Sequence, residues 1–314
     1  AVCIALKTTG IEDERFVQSY IKAVRKNIFF DVEREAILAA FERQGIWYLP
    51  LKGSVIKNLY PKNGMREMAD NDILFNPAMS KQVRDIMLSR GYEVKSFGRW
   101  HHDVYTKPPV LNFEMHSALF YQSENDPIFQ YYSDVKRLLK KDEGNGYGYH
   151  FSDEDFYVYM TAHEWRHYSD CGTGLRSLLD CYVYCTVKED SLDWPYIEEQ
   201  CQRLGTAGYE KERRMLAMKI FSSDALPELT ETEADLLTRY LTAGTYGSME
   251  NEIDKKLMTQ SKTGYLLRQI FPDLHYMKHS VTFVRKYPLL YPAGIVYRWG
   301  RILFCRRQQR RKNI

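Results

Sequence analysis

The sequence predicts an α+β protein: a strand-bearing unit with N-terminal helices over residues 1–122, then an all-helical unit over residues 123–314. Two observations predict it. Short apolar runs rich in β-branched and aromatic residues, punctuated by Gly and Pro, occupy the chain from Ile46 to His116. Beyond Tyr121 nearly every patterned segment has helical spacing. A length of 314 residues suits two domains or one large one.

The elements follow in order. Glu12 to Asn27 and Asp31 to Gln44 read as two helices; in the second, Val32, Ala36, Ile37, Ala40 and Phe41 recur at helical spacing and Gly45 ends the run. Ile46 to Leu51 reads as a strand, followed by a short helix, Val55 to Tyr60, opened by Ser54. Pro61 to Ala69 is a polar loop, Asp72 to Phe75 a strand, and Met79 to Arg90 a helix stopped by Gly91. Three more strands are expected at Tyr92 to Phe97, His102 to Thr106 and Val110 to His116. Helices are then expected at 153–168, 175–188, 194–204, 207–221, 230–243 and 251–260. The polar Gly-rich stretch from Asp142 to Gly148 marks the domain boundary, or the boundary falls slightly earlier.

Apolar residues make up 44% and charged residues 27%, which excludes a wholly disordered or collagenous chain. The net charge is +3, but residues 298–314 carry seven basic side chains and no acid, so the remainder is mildly acidic. That distribution argues against a general nucleic-acid coat protein. Six cysteines without a CxxC pair fit reduced thiols, and a cytoplasmic location is expected, with no secretory signal visible in AVCIALKTTG. The apolar stretch from Leu289 to Cys305 is interrupted by Arg298 and Arg301 and is not expected to span a membrane.

The chemistry is concentrated in three places. Gly53-Ser54 follows a strand and opens a helix, where free N–H groups and the helix dipole suit a phosphate. Asp70 and Asp72, two residues apart at the head of a strand, share one face. Glu114, between Phe113 and Met115 on a later strand, can bring a third carboxylate. Clustered carboxylates repel unless a cation lies among them, and hard oxygens suit Mg²⁺. Lys52 and Arg66 are candidate phosphate contacts, although a loop salt bridge accounts for Arg66 equally well. His116 shares the face of Glu114; it either orients an acid, lies near an acceptor, or is a hydrogen-bonded structural residue.

These residues resemble the minimal nucleotidyltransferase branch of the DNA polymerase β-like superfamily: Leu51-Lys52-Gly53-Ser54, Asp70-Asn71-Asp72-Ile73 and Phe113-Glu114-Met115. More narrowly, Tyr60-Pro61, Arg66, His116, the pair His163 and His167, Gly174-Leu175-Arg176 and Leu178-Leu179-Asp180 are similar to a bacterial family of uncharacterised nucleotidyltransferases, over roughly residues 30–190. The resemblance implies a small mixed sheet with flanking helices and a following helical domain. It implies Mg²⁺, in one or two sites held by Asp70, Asp72 and Glu114, an NTP donor such as ATP bound by Lys52, Gly53, Ser54 and Arg66, and transfer of NMP to an acceptor hydroxyl. Two departures stand out: the gap from Ser54 to Asp70 is long, and Asn71 replaces an apolar residue. A catalytically inactive, nucleotide-sensing or partner-binding member of the fold is the alternative.

A competing motif is His163-Glu164-Trp165-Arg166-His167, a literal HExxH, which on a helix places two histidines on one face for zinc with the Glu as base. Asp180 and Glu189 are the downstream candidates for a third ligand. Otherwise His163 and His167 line the cleft or pack as ordinary helix histidines. The basic tail, residues 306–312, suggests contact with a polyanion or a membrane surface, or simply a solvated helix end.

Overall fold

The computed structural model describes residues 1–244 apart from 124, 145, 171, 224 and 226, then 263, 267 and 270–312, without the side chains of 275, 279 and 302–312. The chain divides into two compact units, Ala1–Ser248 and Met249–Ile314. The strand-bearing part and the helices as far as residue 242 therefore share the first unit, and the break expected at 122/123 falls inside it.

After α1 (Val2–Thr8), one 31-residue helix, α2 (Glu14–Gln44), replaces the two expected. No Gly or Pro interrupts it, and Asp31 does not cap a new helix: its carboxylate accepts from Arg34 at 2.7 Å and Lys57 at 2.7 Å. Gly45 ends α2 in the left-handed region, φ 68°. The sheet comprises β1 (Tyr48–Pro50), β2 (Asn71–Phe75), β3 (Glu93–Ser96), β4 (His102–Lys107) and β5 (Leu111–His116), in the order β1-β2-β5-β4-β3. Only β2 and β5 run parallel; the other neighbours are antiparallel, so the sheet is mixed. Between β1 and β2 lies the short α3 (Gly53–Ile56), and between β2 and β3 lies α4 (Ser80–Ser89).

Strand alternation gives the sheet two faces. Ile73, Phe75, Phe113 and Met115 pack on one side with Phe30, Ile37 and Phe41 of α2 and Val83 and Met87 of α4. Asn71 also belongs to that side: it is buried, accepts from Arg34 at 3.1 Å and donates to the Phe30 carbonyl at 3.3 Å. This hydrogen bonding explains a polar residue between the two acids. Leu74, on the opposite side, joins a core formed with helices that follow the sheet.

Those helices begin with α5 (Pro127–Tyr132), too short to show a helical period in the sequence, followed by a hairpin, β6 (Leu139–Lys141) and β7 (Tyr149–Phe151). The Gly-rich stretch expected to be a domain boundary is the turn of this hairpin, with the Asp142 N–H donating to the Gly148 carbonyl at 3.0 Å. Then come α6 (Asp153–Asp170), α7 (Leu175–Val187), α8 (Trp194–Arg203), α9 (Ala207–Phe221) and α10 (Glu231–Thr242), close to their expected bounds. Cys3, Cys181, Cys185 and Cys201 are buried and free.

The second unit contains α11 (Leu274–Ser280), α12 (Thr282–Lys286) and α13 (Tyr291–Lys312), around Met277, Val281 and Val284. The helix expected at 251–260 and the basic side chains of the tail at 306–312 lie outside the described residues. Among the described residues no helix is long and apolar enough to cross a membrane.

Candidate active site

The second and third acids of the motif, Asp72 and Glu114, are brought together by register. In the parallel β2–β5 pair Asp72 stands beside Glu114 and Leu74 beside His116, so Asp72, Glu114 and His116 share the face turned from α2. Each offers a ligand atom within 4.8 Å of the other two. Asp70 stands outside that group but lines the same cleft, which has a volume of about 280 Å³. Lys52, Gly53 and Arg66 also line it, as do His163 and His167 from α6 and Arg176 from α7.

Lys52 is held unusually. It has φ 48°, the only positive φ of a non-Gly residue among those described. Its ammonium reaches Asp72 at 2.8 Å. Burial opposes the charge on Lys52, but Asp72 outweighs it and holds the ammonium above its ordinary value. Burial likewise opposes the Asp72 carboxylate, yet Lys52 and then His116 hold it well below the usual carboxylate range. Burial, and then Asp72 itself, push Asp70 up to about 6 and Glu114 up to about 7. Burial takes His116 below its ordinary value, so near neutrality the ring is uncharged. Asp72 is ionised, which makes the His116 Nε2–H the donor in their 2.8 Å bond.

Gly53 and Ser54 part company. Gly53 lines the cleft, whereas Ser54 is buried, its hydroxyl donating to the Leu51 carbonyl at 2.7 Å and its N–H to the same oxygen at 3.2 Å. With only four residues in α3 and that N–H already spent, the expected phosphate cradle reduces to Gly53 and its surroundings. Arg66 is locked rather than free: Nε donates to both oxygens of Asp180, at 2.9 and 3.0 Å, and Nη1 to the Glu67 carbonyl at 2.7 Å. Tyr60 donates to the same Asp180 at 2.6 Å. This triad ties the loop before β2 to α7, and it is not foreseen from the sequence. All three residues stand in the family-like motifs, but a separation of 114 residues between Arg66 and Asp180 hides such a pairing.

The HExxH sequence does not assemble a zinc-peptidase site. Glu164 is buried in an ion pair with Arg213, which also donates to Thr161 at 2.8 Å, so this carboxylate is not poised as a base. The His163 and His167 Nε2 atoms lie 3.3 Å apart, but Asp180 is engaged elsewhere and no metal-ligating group among the described residues includes either histidine.

Carboxylates from neighbouring strands of a small mixed sheet, facing a cleft with a glycine at a strand-to-helix turn, form the arrangement that the resemblance to nucleotidyltransferases leads one to expect. The chain belongs to the family of uncharacterised nucleotidyltransferases, whose model matches residues 10–221. Among solved structures it is similar to an antigenic nucleotidyltransferase-like protein from Paracoccidioides brasiliensis, with 11% identity over 69% of this chain and 93% of that one, TM-score 0.39. It is also similar to the antibiotic-resistance factor ANT(2'')-Ia, with 14% identity over 59% of this chain and 87% of that one, TM-score 0.28. No curated protein matches the chain.

Proposed function

We propose that this protein transfers a nucleoside monophosphate from an NTP to an acceptor hydroxyl, with a divalent cation held by Asp70, Asp72 and Glu114. The observation that carries the reading is the in-register pairing of Asp72 with Glu114 on the face that looks into the cleft. The donor set fits Mg²⁺: the oxygens are hard, and Asp70 and Glu114, raised first by burial and then by the Asp72 charge, stand beside a negative charge that a cation would offset. Bound there, the cation would supply charge for the NTP phosphates and the leaving pyrophosphate.

The chain's own residues account for the rest. Glu114, with its carboxyl near neutrality, accepts the proton of the acceptor hydroxyl at its Oε atoms. Lys52 keeps Asp72 ionised and fixed, and His116 holds the same oxygen, Oδ1, of that carboxylate. Arg66, oriented by Asp180, presents its remaining N–H groups beside Gly53, where a phosphate would lie. Positioning and charge compensation carry most of such a reaction.

The test is calorimetry and thermal shift with ATP, GTP, CTP and UTP, with and without Mg²⁺, on wild type and on Asp70→Ala/Asp72→Ala. Metal-dependent binding by wild type alone is expected, followed by pyrophosphate release once an acceptor is supplied. Folded wild type that binds no NTP, or a double variant that binds as well as wild type, would overturn the proposal.

A further inference from the structure

Beside the acid cluster, and outside the residues that line the cleft, three imidazoles converge. His102 opens β4 directly across from His116 in the antiparallel β4–β5 register. His101 precedes it at a bend, so the two neighbouring side chains escape strand alternation and meet, His101 Nε2 to His102 Nδ1 at 3.3 Å. Each of the three rings offers a nitrogen within 4.8 Å of the other two. The ring centroids lie 4.7 Å apart for His101 and His102, 5.1 Å for His102 and His116, and 5.7 Å for His101 and His116.

The bend is pinned. The His101 carbonyl accepts from the Ser117 N–H at 2.8 Å, the Ser117 hydroxyl at 3.0 Å and the Ala118 N–H at 3.2 Å. The histidine pair is thereby tied to the end of β5, which carries His116. The Nδ1 atoms of His101 and His116 are both buried without a hydrogen-bond partner, so neither ring is fully satisfied within the protein. Glu114 Oε2 stands 3.8 Å from His102 Nε2 and 3.7 Å from His116 Nε2.

We propose that His101, His102 and His116 form a binding site for a zinc-class divalent cation, next to the carboxylate cluster and different from it in preference. Imidazole nitrogens suit Zn²⁺ and its transition-metal neighbours, whereas Mg²⁺ takes oxygen. Two nitrogens on a tetrahedral zinc, each about 2.0–2.1 Å from the metal, stand about 3.3 Å apart. The His101–His102 separation of 3.3 Å has that value, and His116 offers a third nitrogen within 4.8 Å of both. Three protein nitrogens leave a fourth position open, within reach of Glu114. The site stands independently of nucleotidyl transfer, because metal content alone defines it.

The experiment uses the full chain. Metal-stripped protein is loaded with Zn²⁺, dialysed and analysed by elemental mass spectrometry, and loaded separately with Co²⁺ to record its visible spectrum. Wild type should retain about one zinc per chain and show the intense visible bands of low-coordinate Co²⁺. His101→Gln/His102→Gln should weaken zinc at least roughly tenfold, while His163→Gln/His167→Gln should leave it unchanged. ¹⁵N spectra of the wild-type imidazoles during Zn²⁺ titration serve as a check that needs no variant: the resonances of His101, His102 and His116 should shift together. Retention by the His101/His102 variant, loss only in the His163/His167 variant, or an unshifted set of three resonances would each overturn the proposal.

Discussion

Asp180→Ala is the sharpest test of how this fold holds its candidate site. Asp180 and Arg66 are both buried, at 3% and 9% exposure, and the arginine has no other carboxylate at bonding distance among the described residues. Removing the carboxylate strands a buried guanidinium and takes the acceptor from the Tyr60 hydroxyl. Breaking a buried pair from one side costs about 3–5 kcal/mol. In a unit of this size that corresponds to a fall in Tm of roughly 6–20 °C. Urea unfolding of Asp180→Ala and Asp180→Asn measures it. Asp180→Asn should lose less, since an amide oxygen still accepts from Tyr60. Arg66→Met/Asp180→Leu should recover much of the loss, because replacing both charges removes the desolvation cost. An Asp180→Ala variant within about 1 kcal/mol of wild type, or a double replacement as unstable as the single one, would refute this account.

Other outcomes follow from neighbouring features. Glu164→Gln should destabilise strongly, through the buried Arg213, while leaving metal content unchanged; a loss of bound metal with intact stability would revive the HExxH reading. Gly64→Ala should cost at least about 1–3 kcal/mol, since φ is 85° and a Cβ would overlap Val24, whereas Gly53→Ala meets only ordinary contacts and should fold normally. The raised carboxyls of Asp70 and Glu114 bind protons more tightly folded than unfolded. Metal-free protein should therefore lose their contribution as pH rises from about 4 through about 6 and 7, and Mg²⁺ should raise Tm more at pH 7.5 than at pH 5. A Mg²⁺ effect on Tm that is flat across that range would contradict this titration scheme.

The strands are legible in the sequence because each is a short apolar run bounded by Gly, Pro or polar residues, and the acids stand out because Asp70, Asp72 and Glu114 interrupt or head such runs. The break expected within α2 is not real: Asp31 looks like a cap, and only the fold reveals Lys57 and Arg34 as its partners. The boundary expected near residue 142 confuses a hairpin turn with a linker, since both are polar and Gly-rich. Order along the chain places Arg66 and Ser54 near the site, but their partners, Asp180 and the Leu51 carbonyl, depend on tertiary packing and a tight turn. The histidines at 101 and 102 carry no motif; their meaning depends on the bend that sets them against β5.

The parallel pairing of β2 with β5 makes the acid centre a gauge of correct folding. A slip of one residue in that pairing would turn Phe113 or Met115 toward the cleft and send Glu114 into the apolar layer under α2. The centre therefore depends on strand alignment, and the metal binding proposed for it would report that alignment as well as chemistry. Insertions between β4 and β5 should accordingly lower that binding wherever Glu114 fails to recover its place beside Asp72.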